Sequence, residues 1–172
     1  MLNFAILTIS DRAAAGTRAD ASGPALAQVL ESAKHKIQAT AIVPDDLQQI
    51  QKTLIAWSDS QSIDVVLTTG GTGFAPRDIT PEATLGVIER STPGIVEAIR
   101  AESLKITPHA MLSRAVAGIR GNTLIINFPG SPKAAVENLQ IVLPVLEHAV
   151  ALLKGKPDSE SGHDAFKRHA TL

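Results

Sequence analysis

Three short runs of apolar residues, each followed by a loop and a helical pattern, are the feature that most constrains the fold of this chain. They span residues 4–9, 63–67 and 124–128 and are almost continuously apolar. Strands buried on both faces have this pattern, which is typical of parallel sheets covered by helices. Residues 37–43 instead alternate apolar and polar side chains, which predicts a strand nearer the edge of the sheet.

Helical patterns separate these strands. Apolar residues recur at helical spacing in two places: Leu26, Val29, Leu30 and Ala33, and then Leu47, Ile50, Leu54 and Trp57. Three more helices are predicted where a capping hydroxyl precedes a proline, at Thr80–Pro81, Thr92–Pro93 and Ser131–Pro132. The last of them carries an apolar stripe from Val136 to Leu153, most of which is expected to be core. Pro144 is expected to kink or divide it.

The alternation of strands and helices predicts an α/β fold with a mostly parallel, doubly wound sheet. Ligands of such folds bind where loops leave the carboxyl ends of the strands. A chain of 172 residues suits one such domain. We assign it to residues 1–154, because residues 155–172 are polar and without pattern and are expected to be a flexible tail or a linker.

Composition narrows the classes of function. The formal net charge is −1 and no long run of Lys and Arg occurs, which argues against a nucleic acid partner. The chain has no Cys, which excludes disulfides, thiolate zinc sites and Cys nucleophiles and agrees with a cytoplasmic location. No apolar run approaches the roughly 20 residues that cross a bilayer, so no membrane partner is expected.

The loop after the strand at residues 63–67 is rich in glycine and leads directly to the helix start at Thr80. Glycines let backbone amides approach an anion closely, and a helix start adds a positive dipole, so the loop suits a phosphate. It has no Gly-Lys-Ser/Thr ending of a P-loop, and Pro76 stands where a dinucleotide fingerprint has its third glycine. A glycine-rich turn alone is more often only a turn. Asp78, however, would repel a phosphate here unless a cation such as magnesium lay between them.

Two other loops are predicted to reach the same edge of the sheet. Asp45 and Asp46 follow the strand at residues 37–43, and we expect one to cap the next helix and the other to be free to bind metal. A long polar loop at residues 10–23 follows the first strand, and long loops at this edge are usually functional. Residues 127–133 join a strand to a helix start and form either a capped turn or a second anion pocket.

Several motifs together resemble those of the molybdopterin adenylyltransferase family. They are TGGTG at 69–73, RDITPEAT at 77–84, ITP at 106–108, MLSR at 111–114, GIRG at 118–121 and PGSP at 129–132. The resemblance extends over residues 2–154. It implies a three-layer α/β/α fold, a homotrimer, and transfer of AMP from magnesium-bound ATP to the terminal phosphate of molybdopterin, with release of pyrophosphate.

The resemblance also implies site residues. Asp45 and Asp78 match the catalytic carboxylates that hold Mg²⁺, and Asp20 stands in an adjoining acidic position. Asp46 replaces a Glu that is common in the family. The positions implied to bind substrates are Ser10, Asp11, Gly70, Gly71, Thr72, Gly73, Ser103, Ser113, Pro129, Gly130, Ser131, Pro132 and Lys133. Of these, Ser103 and Ser113 match substrate-binding serines.

Two other functions stay open at the level of sequence. One is a trimeric scaffold that binds the pterin without catalysing adenylylation, although the intact carboxylates argue against it. The other is a related hydrolase of nucleotide metabolites that needs no pterin acceptor. A molybdate-inserting enzyme, separate or fused, is an expected partner.

Overall fold

In the computed structural model, which describes residues 1–155, six strands form one mixed sheet. The strands are β1 (Asn3–Ile9), β2 (Lys36–Val43), β3 (Val65–Thr69), β4 (Arg90–Ser91), β5 (Ala117–Arg120) and β6 (Thr123–Phe128). Their order across the sheet is β2-β1-β3-β6-β5-β4. The pairs from β2 to β6 are parallel, whereas β5 runs antiparallel to both β6 and β4.

The central strands are those predicted from the apolar runs. Every residue of β3 and β6 is buried, and β1 and β3 lie between parallel neighbours. β2 lies at the edge and alternates between exposed and half-buried residues, as its sequence predicts. Because β1, β2, β3 and β6 are parallel, their carboxyl ends deliver four loops to one edge of the sheet.

Helices cover both faces of the sheet, which confirms the three-layer α/β/α fold. They are α1 (Asp11–Ala14), α2 (Ser22–Ser32), α3 (Leu47–Asp59), α4 (Thr80–Leu85), α5 (Pro93–Leu104) and α6 (Pro132–Leu153), with a 3₁₀ turn at Pro108–Leu112. One core packs α2, α5 and α6 against the sheet, and the other packs α3 and α4 against its opposite face. Alternate residues along β1 point into the two cores, Phe4 and Ile6 into the first and Ala5 and Leu7 into the second.

The three predicted helix starts are confirmed, but two of the expected hydroxyl caps are wrong. Only Ser131, among these three residues, accepts a capping hydrogen bond, from the amide of Ala134. The Thr92 hydroxyl makes no capping bond. Thr80 lies inside the first turn of α4, and its hydroxyl donates instead to the Gly70 carbonyl at 2.8 Å. The glycine-rich loop folds back over the start of α4, so that its Gly70 carbonyl accepts the hydrogen bond from the Thr80 hydroxyl.

Helix α6 continues through Pro144 without being divided, and Pro144 lies on its exposed side. Its buried face comprises Ala135, Asn138, Leu139, Val142, Leu146 and Val150. Of the predicted stripe, Val136, Leu143 and Leu153 are therefore only half-buried. With 22 residues and high mean hydropathy, α6 could by length and composition also cross a membrane, although it contains no uninterrupted apolar run of that length. In this fold its buried face belongs to the core, and the absence of a membrane partner stays a prediction.

Candidate active site

Two neighbouring cavities lie at the carboxyl ends of the parallel strands. The polar cleft has a volume of about 600 Å³ and is lined by ten of the predicted site residues: Ser10, Asp11, Asp20, Asp45, Gly70, Gly71, Asp78, Gly130, Ser131 and Pro132. The apolar cavity has a volume of about 280 Å³ and is lined by five others: Thr72, Gly73, Ser103, Ser113 and Pro129. Lys133 lines neither cavity; its ammonium is largely exposed and lies 3.8 Å from a Glu137 oxygen.

The two cavities share a wall made by the loops that follow β3 and β6. The backbones of these loops touch, since a Cβ added at Gly130 would lie 3.3 Å from the Cα of Gly70. The Thr69 hydroxyl donates to the Pro129 carbonyl at 2.8 Å, which ties the loops together where the strands end. Each loop lines both cavities. A ligand in one cavity therefore lies directly beside a ligand in the other.

Asp45 projects into the polar cleft while its neighbour Asp46 caps α3. The Asp46 carboxylate accepts from the Gln49 amide at 2.9 Å, as an N-cap residue does. The Asp45 carboxylate instead accepts from the Asp11 amide at 2.9 Å, and the Asp11 carboxylate accepts from the Asp45 amide at 3.0 Å. The sequence predicted that one of the two aspartates caps the next helix, and the structure assigns that role to Asp46; metal binding by Asp45 stays a prediction.

Two glycines of the loop lie against the carboxylates of Asp45 and Asp78. Gly71 has φ of +63°, and a Cβ added there would lie 3.1 Å from an oxygen of Asp45. A Cβ added at Gly73 would lie 2.8 Å from an oxygen of Asp78, closer than real Cβ contacts allow. Asp78 itself is held by the Ala75 amide, which donates to its carboxylate at 3.0 Å. The glycine-rich loop thus packs against both carboxylates. At Gly71 the positive φ favours glycine, and at Gly73 an added Cβ would displace the Asp78 carboxylate.

The charge of Asp45 is poorly compensated by the protein. Partial burial raises the pKa of Asp45, and the nearby carboxylates of Asp11 and Asp78 add to that shift. The Asp11 amide and the more distant charge of Arg77 oppose it without cancelling it. Asp11 is different, because the hydrogen bonds from Arg77 lower the pKa of that carboxyl. Arg77 donates to both Asp11 oxygens, at 2.8 and 2.7 Å. Among the carboxylates of the polar cleft, that of Asp11 is therefore paired with a cation, whereas that of Asp45 would favour a bound cation.

Asp20 also lines the polar cleft, but its oxygens are engaged by the protein. One oxygen accepts from the amide and hydroxyl of Ser22 and from the amide of Gly23, at 3.0 to 3.1 Å. The other accepts from the Thr8 hydroxyl at 2.6 Å. Asp20 thereby joins the end of β1 to the start of α2, and a catalytic role for it stays a prediction.

The apolar cavity carries a few polar groups on a largely apolar wall. The Ser103 hydroxyl donates to the Asn138 side-chain oxygen at 3.0 Å, across the groove between α5 and α6. The Ser113 hydroxyl accepts from the Ala115 amide at 3.3 Å, and the Ser113 carbonyl accepts from Arg100 at 3.2 Å. Cavities with apolar walls and a few placed polar groups are typical of sites for small organic ligands.

Sequence reasoning missed several charged residues of the site. Arg12 and Arg18 line the polar cleft, Arg100 and Glu137 line the apolar cavity, and Arg114 lies behind the glycine-rich loop. Arg77 and Arg114 stood in the quoted motifs, so a search for cations beside the proposed anion site could have found them. Arg100 and Glu137 carry no such signal, because only the packing of α5 against α6 brings them together.

Comparison with known proteins identifies the family of this chain. A family model described as "Probable molybdopterin binding domain" matches residues 5–148. A molybdopterin adenylyltransferase of Helicobacter pylori strain J99 is 45% identical over 156 residues, which cover 90% of this chain and 89% of that protein. Gephyrin of Dictyostelium discoideum is 44% identical over 90% of this chain but only 23% of its own length.

The chain thus spans about a quarter of the length of such larger relatives, which include the Drosophila melanogaster molybdenum cofactor synthesis protein cinnamon at 26%. Among solved structures, the molybdopterin biosynthesis enzyme MoaB of Thermus thermophilus is 49% identical, with a TM-score of 0.85. The match covers 91% of this chain and 99% of that one. The matched region contains the β3 and β6 loops and both cavities. The chain therefore belongs to the molybdopterin-binding domain family of molybdenum cofactor biosynthesis proteins.

Proposed function

We propose that this protein is a molybdopterin adenylyltransferase: it transfers AMP from ATP to the terminal phosphate of molybdopterin and releases pyrophosphate. The observation that carries the proposal is the pairing of a polar cleft with an apolar cavity across one shared wall. A reaction that joins two substrates needs two adjacent sites whose reactive ends meet, because bringing the reactants together supplies much of the rate. The named relatives that the chain matches along most of their length include molybdopterin adenylyltransferases.

The polar cleft suits the triphosphate of ATP. Arg12 and Arg18 line it beside the glycine-rich loop and supply positive charge for phosphate oxygens. Ser131 and Pro132 bring the start of α6 to the same cleft, and a helix start attracts anions. The Gly70 amide is not available to an anion, because it donates to the Phe128 carbonyl at 3.1 Å.

The apolar cavity suits the pterin. A flat heterocycle can pack against walls that include Val96, Ile99 and Leu112, while its polar edges meet the side chains of Ser103 and Ser113. The phosphate of the pterin would then point toward the wall shared with the polar cleft. That direction places it beside Gly73 and Pro129, which line the cavity at this wall.

Asp45 and Asp78 fit a magnesium site that is completed by the substrate. Among residues 1–155 no group of three or more His, Asp or Glu side chains is arranged to hold a metal. Magnesium is commonly held by one or two carboxylates together with substrate phosphates and water, so two carboxylates suffice here. When bound, Mg²⁺ would offset negative charge on the oxygens of the reacting phosphates.

The residues of the chain do the remaining work by position and charge. The phosphate of molybdopterin is already ionised at neutral pH, so its oxygen can attack the α-phosphorus of ATP without a strong general base. The shared wall aligns the two substrates, and the cations of the polar cleft stabilise the pyrophosphate that leaves. The described histidines are not required in this scheme.

One assay separates this function from the two alternatives. Purified protein is incubated with Mg²⁺ and ATP, with and without molybdopterin, and pyrophosphate is measured. Release that depends on molybdopterin supports the adenylyltransferase. Release without molybdopterin indicates a nucleotide hydrolase, and molybdopterin binding without release indicates a scaffold.

We further propose that the protein acts as a cytoplasmic homotrimer and passes its product to a molybdate-inserting enzyme or domain.

A further inference from the structure

Arg114 holds the part of the glycine-rich loop that carries Asp78. Its Nε donates to the Gly73 carbonyl at 2.7 Å, and its Nη2 donates to the Asp78 carbonyl. Its Nη1 forms an ion pair with Glu82 of α4. The main-chain amide of Arg114 donates to the Thr72 carbonyl at 2.9 Å. One residue thus fixes three points along residues 72–78.

This arrangement has a geometric consequence for the metal ligand. Because the carbonyls of Gly73 and Asp78 bind the same guanidinium, the ends of the turn between them are kept at a fixed separation. The guanidinium is planar and presents its donors in a rigid fork, so it fixes directions as well as distances. A lysine could keep the ion pair with Glu82, but it cannot keep both carbonyl contacts in this geometry.

Arg114 follows Ser113 directly, yet Ser113 has supports of its own. Its amide donates to the Ala110 carbonyl at 3.2 Å, and its carbonyl accepts from Arg100 at 3.2 Å. Loss of the Arg114 guanidinium removes none of these contacts. The position of Asp78 and the position of Ser113 can therefore be perturbed separately.

We infer that Arg114 is a positioning residue that holds Asp78 in its metal-binding geometry without contacting either substrate. The inference rests on the proposed function, since it takes Asp78 as a ligand of magnesium. It predicts a split: removal of the guanidinium weakens metal binding and turnover but leaves molybdopterin affinity nearly unchanged.

The test compares Arg114→Lys and Arg114→Ala with a matched control, Arg120→Ala. Arg120 also pairs with a carboxylate, Asp59 at 2.9 and 3.0 Å, and donates to a backbone carbonyl, that of Val87 at 3.2 Å. Its side chain is 24% exposed, against 34% for Arg114. It lines neither cavity, so its loss reports the general effect of removing such an arginine.

Three quantities are measured for each variant that circular dichroism shows to be folded. The first is the dissociation constant of molybdopterin. The second is the dissociation constant of Mn²⁺ in the presence of a non-hydrolysable ATP analogue, measured by electron paramagnetic resonance. The third is the Mg²⁺ dependence of pyrophosphate release. We expect both Arg114 variants to bind Mn²⁺ at least fivefold more weakly and to lose at least tenfold in kcat. Their molybdopterin affinity should stay within about twofold of the wild type, and Arg120→Ala should match the wild type in all three.

Added guanidinium ion provides a second readout. At millimolar concentration it should restore part of the turnover of Arg114→Ala. The turnover of Arg120→Ala should not change when guanidinium ion is added. If Arg114→Ala does not fold, the Mn²⁺ titration of Arg114→Lys decides. Wild-type Mn²⁺ affinity in a folded Arg114 variant would overturn the inference, and so would equal losses of Mn²⁺ and molybdopterin binding. A wild-type protein that binds Mn²⁺ with the analogue but releases no pyrophosphate would refute the proposed function alone.

Discussion

At the scale of single residues, Asp45 carries a charge that the folded protein does not favour. Partial burial raises the pKa of its carboxyl, with the Asp11 and Asp78 carboxylates adding to that effect. A group whose folded pKa is raised contributes stability below its unfolded pKa, near 3.9, and loses that contribution as the pH rises through the folded value. At neutral pH the ionised carboxylate therefore costs stability in the metal-free protein.

We predict that Asp45→Asn raises the melting temperature of metal-free protein at pH 7. The gain should shrink as the pH falls toward 4, because the wild-type carboxyl then becomes protonated and loses its charge. Thermal melts in EDTA across this range give the measurement. Asp46→Asn is the matched control: Asn caps a helix about as well as Asp, so its melting temperature should change little at any pH. A lower melting temperature for Asp45→Asn at pH 7 would contradict the assignment of an uncompensated charge.

The same substitution should abolish most of the activity. Asp45→Asn and Asp78→Asn should each lower the rate of pyrophosphate release by about a hundredfold or more, equivalent to about 3 kcal/mol. Molybdopterin binding should persist, because neither residue lines the apolar cavity. Turnover at saturating ATP and Mg²⁺ is compared with that of Asp46→Asn, which should remain near normal. An active Asp45→Asn or Asp78→Asn variant would remove that residue from the metal site.

Ser103 and Ser113 provide a test of the apolar cavity. Substitution of either by Ala should weaken molybdopterin binding by up to about tenfold, since a lost hydrogen bond is worth about 0.5 to 1.5 kcal/mol. The affinity for ATP should change less, because both hydroxyls lie outside the polar cleft. Calorimetric titration with each ligand measures the two affinities. Equal losses for both ligands would show that the serines act on the fold of the site and not on the pterin.

At the scale of elements, the sequence pattern predicted the strands whose side chains are buried. It did not predict the strands that form only because distant segments of the chain pair with each other. The runs that became β1, β3 and β6 are apolar because both sheet faces are covered, and the alternation in β2 follows from its place at the edge. The short β4 and the antiparallel β5 carry no comparable signal. Arg90 and Ser91 are exposed, and β4 is defined only by its pairing with β5.

In the candidate site, too, some residues could be predicted from the sequence and others could not. Asp45, Asp78 and the glycines could be named because loops after parallel strands meet at one edge, and family motifs fixed the positions. The role of Thr80 could not be predicted, since a threonine before a proline at a helix start normally indicates a cap. Its hydroxyl binds the Gly70 carbonyl instead because the loop folds back over α4. Contacts of this kind depend on how the loop folds, and they produce no repeating pattern in the sequence.

This contact makes Thr80 an anchor for the start of the glycine-rich loop. Thr80→Val keeps the shape of the buried side chain but removes the donor, which leaves the Gly70 carbonyl without that partner. We expect the free energy of unfolding to fall by about 1–3 kcal/mol, as measured by urea denaturation. Thr53→Val is the control, because its hydroxyl bonds to the Gln49 carbonyl at the surface of α3, and it should cost less than about 0.5 kcal/mol. Equal costs for both variants would argue against an anchor at Thr80.

At the scale of the whole molecule, the surface near the site exposes large apolar side chains. Phe74, Ile106 and Met111 are each more than 60% exposed, and Leu112 is 43% exposed. Large apolar side chains left exposed are typical of contact surfaces between subunits. We expect light scattering at micromolar concentration to give three times the mass of the chain. A stable monomer would contradict the trimer, which rests on the family resemblance.

The last helix also sets where the chain can be shortened. Residues 156–172, which include most of the predicted tail, lie outside the described residues, whereas α6 ends at Leu153 and Lys154 pairs with Asp64. The Asp64 carboxylate is 7% exposed and also accepts from the Asn3 amide at 2.8 Å, so this pair closes the end of the sheet opposite the site.

We predict that deletion of residues 157–172 leaves both the melting temperature and pyrophosphate release nearly unchanged. Lys154→Met in the full-length chain should behave differently, because it removes the cation and leaves a buried carboxylate unpaired. Loss of one partner of a fully buried pair costs about 3–5 kcal/mol, and the partial exposure of Lys154 reduces the expected cost to about 1–3 kcal/mol. Thermal melts of the two variants measure this contrast, and a double variant with Asp64→Asn should recover part of the loss. A truncated chain that melts as early as Lys154→Met would show that residues 157–172 also support the fold.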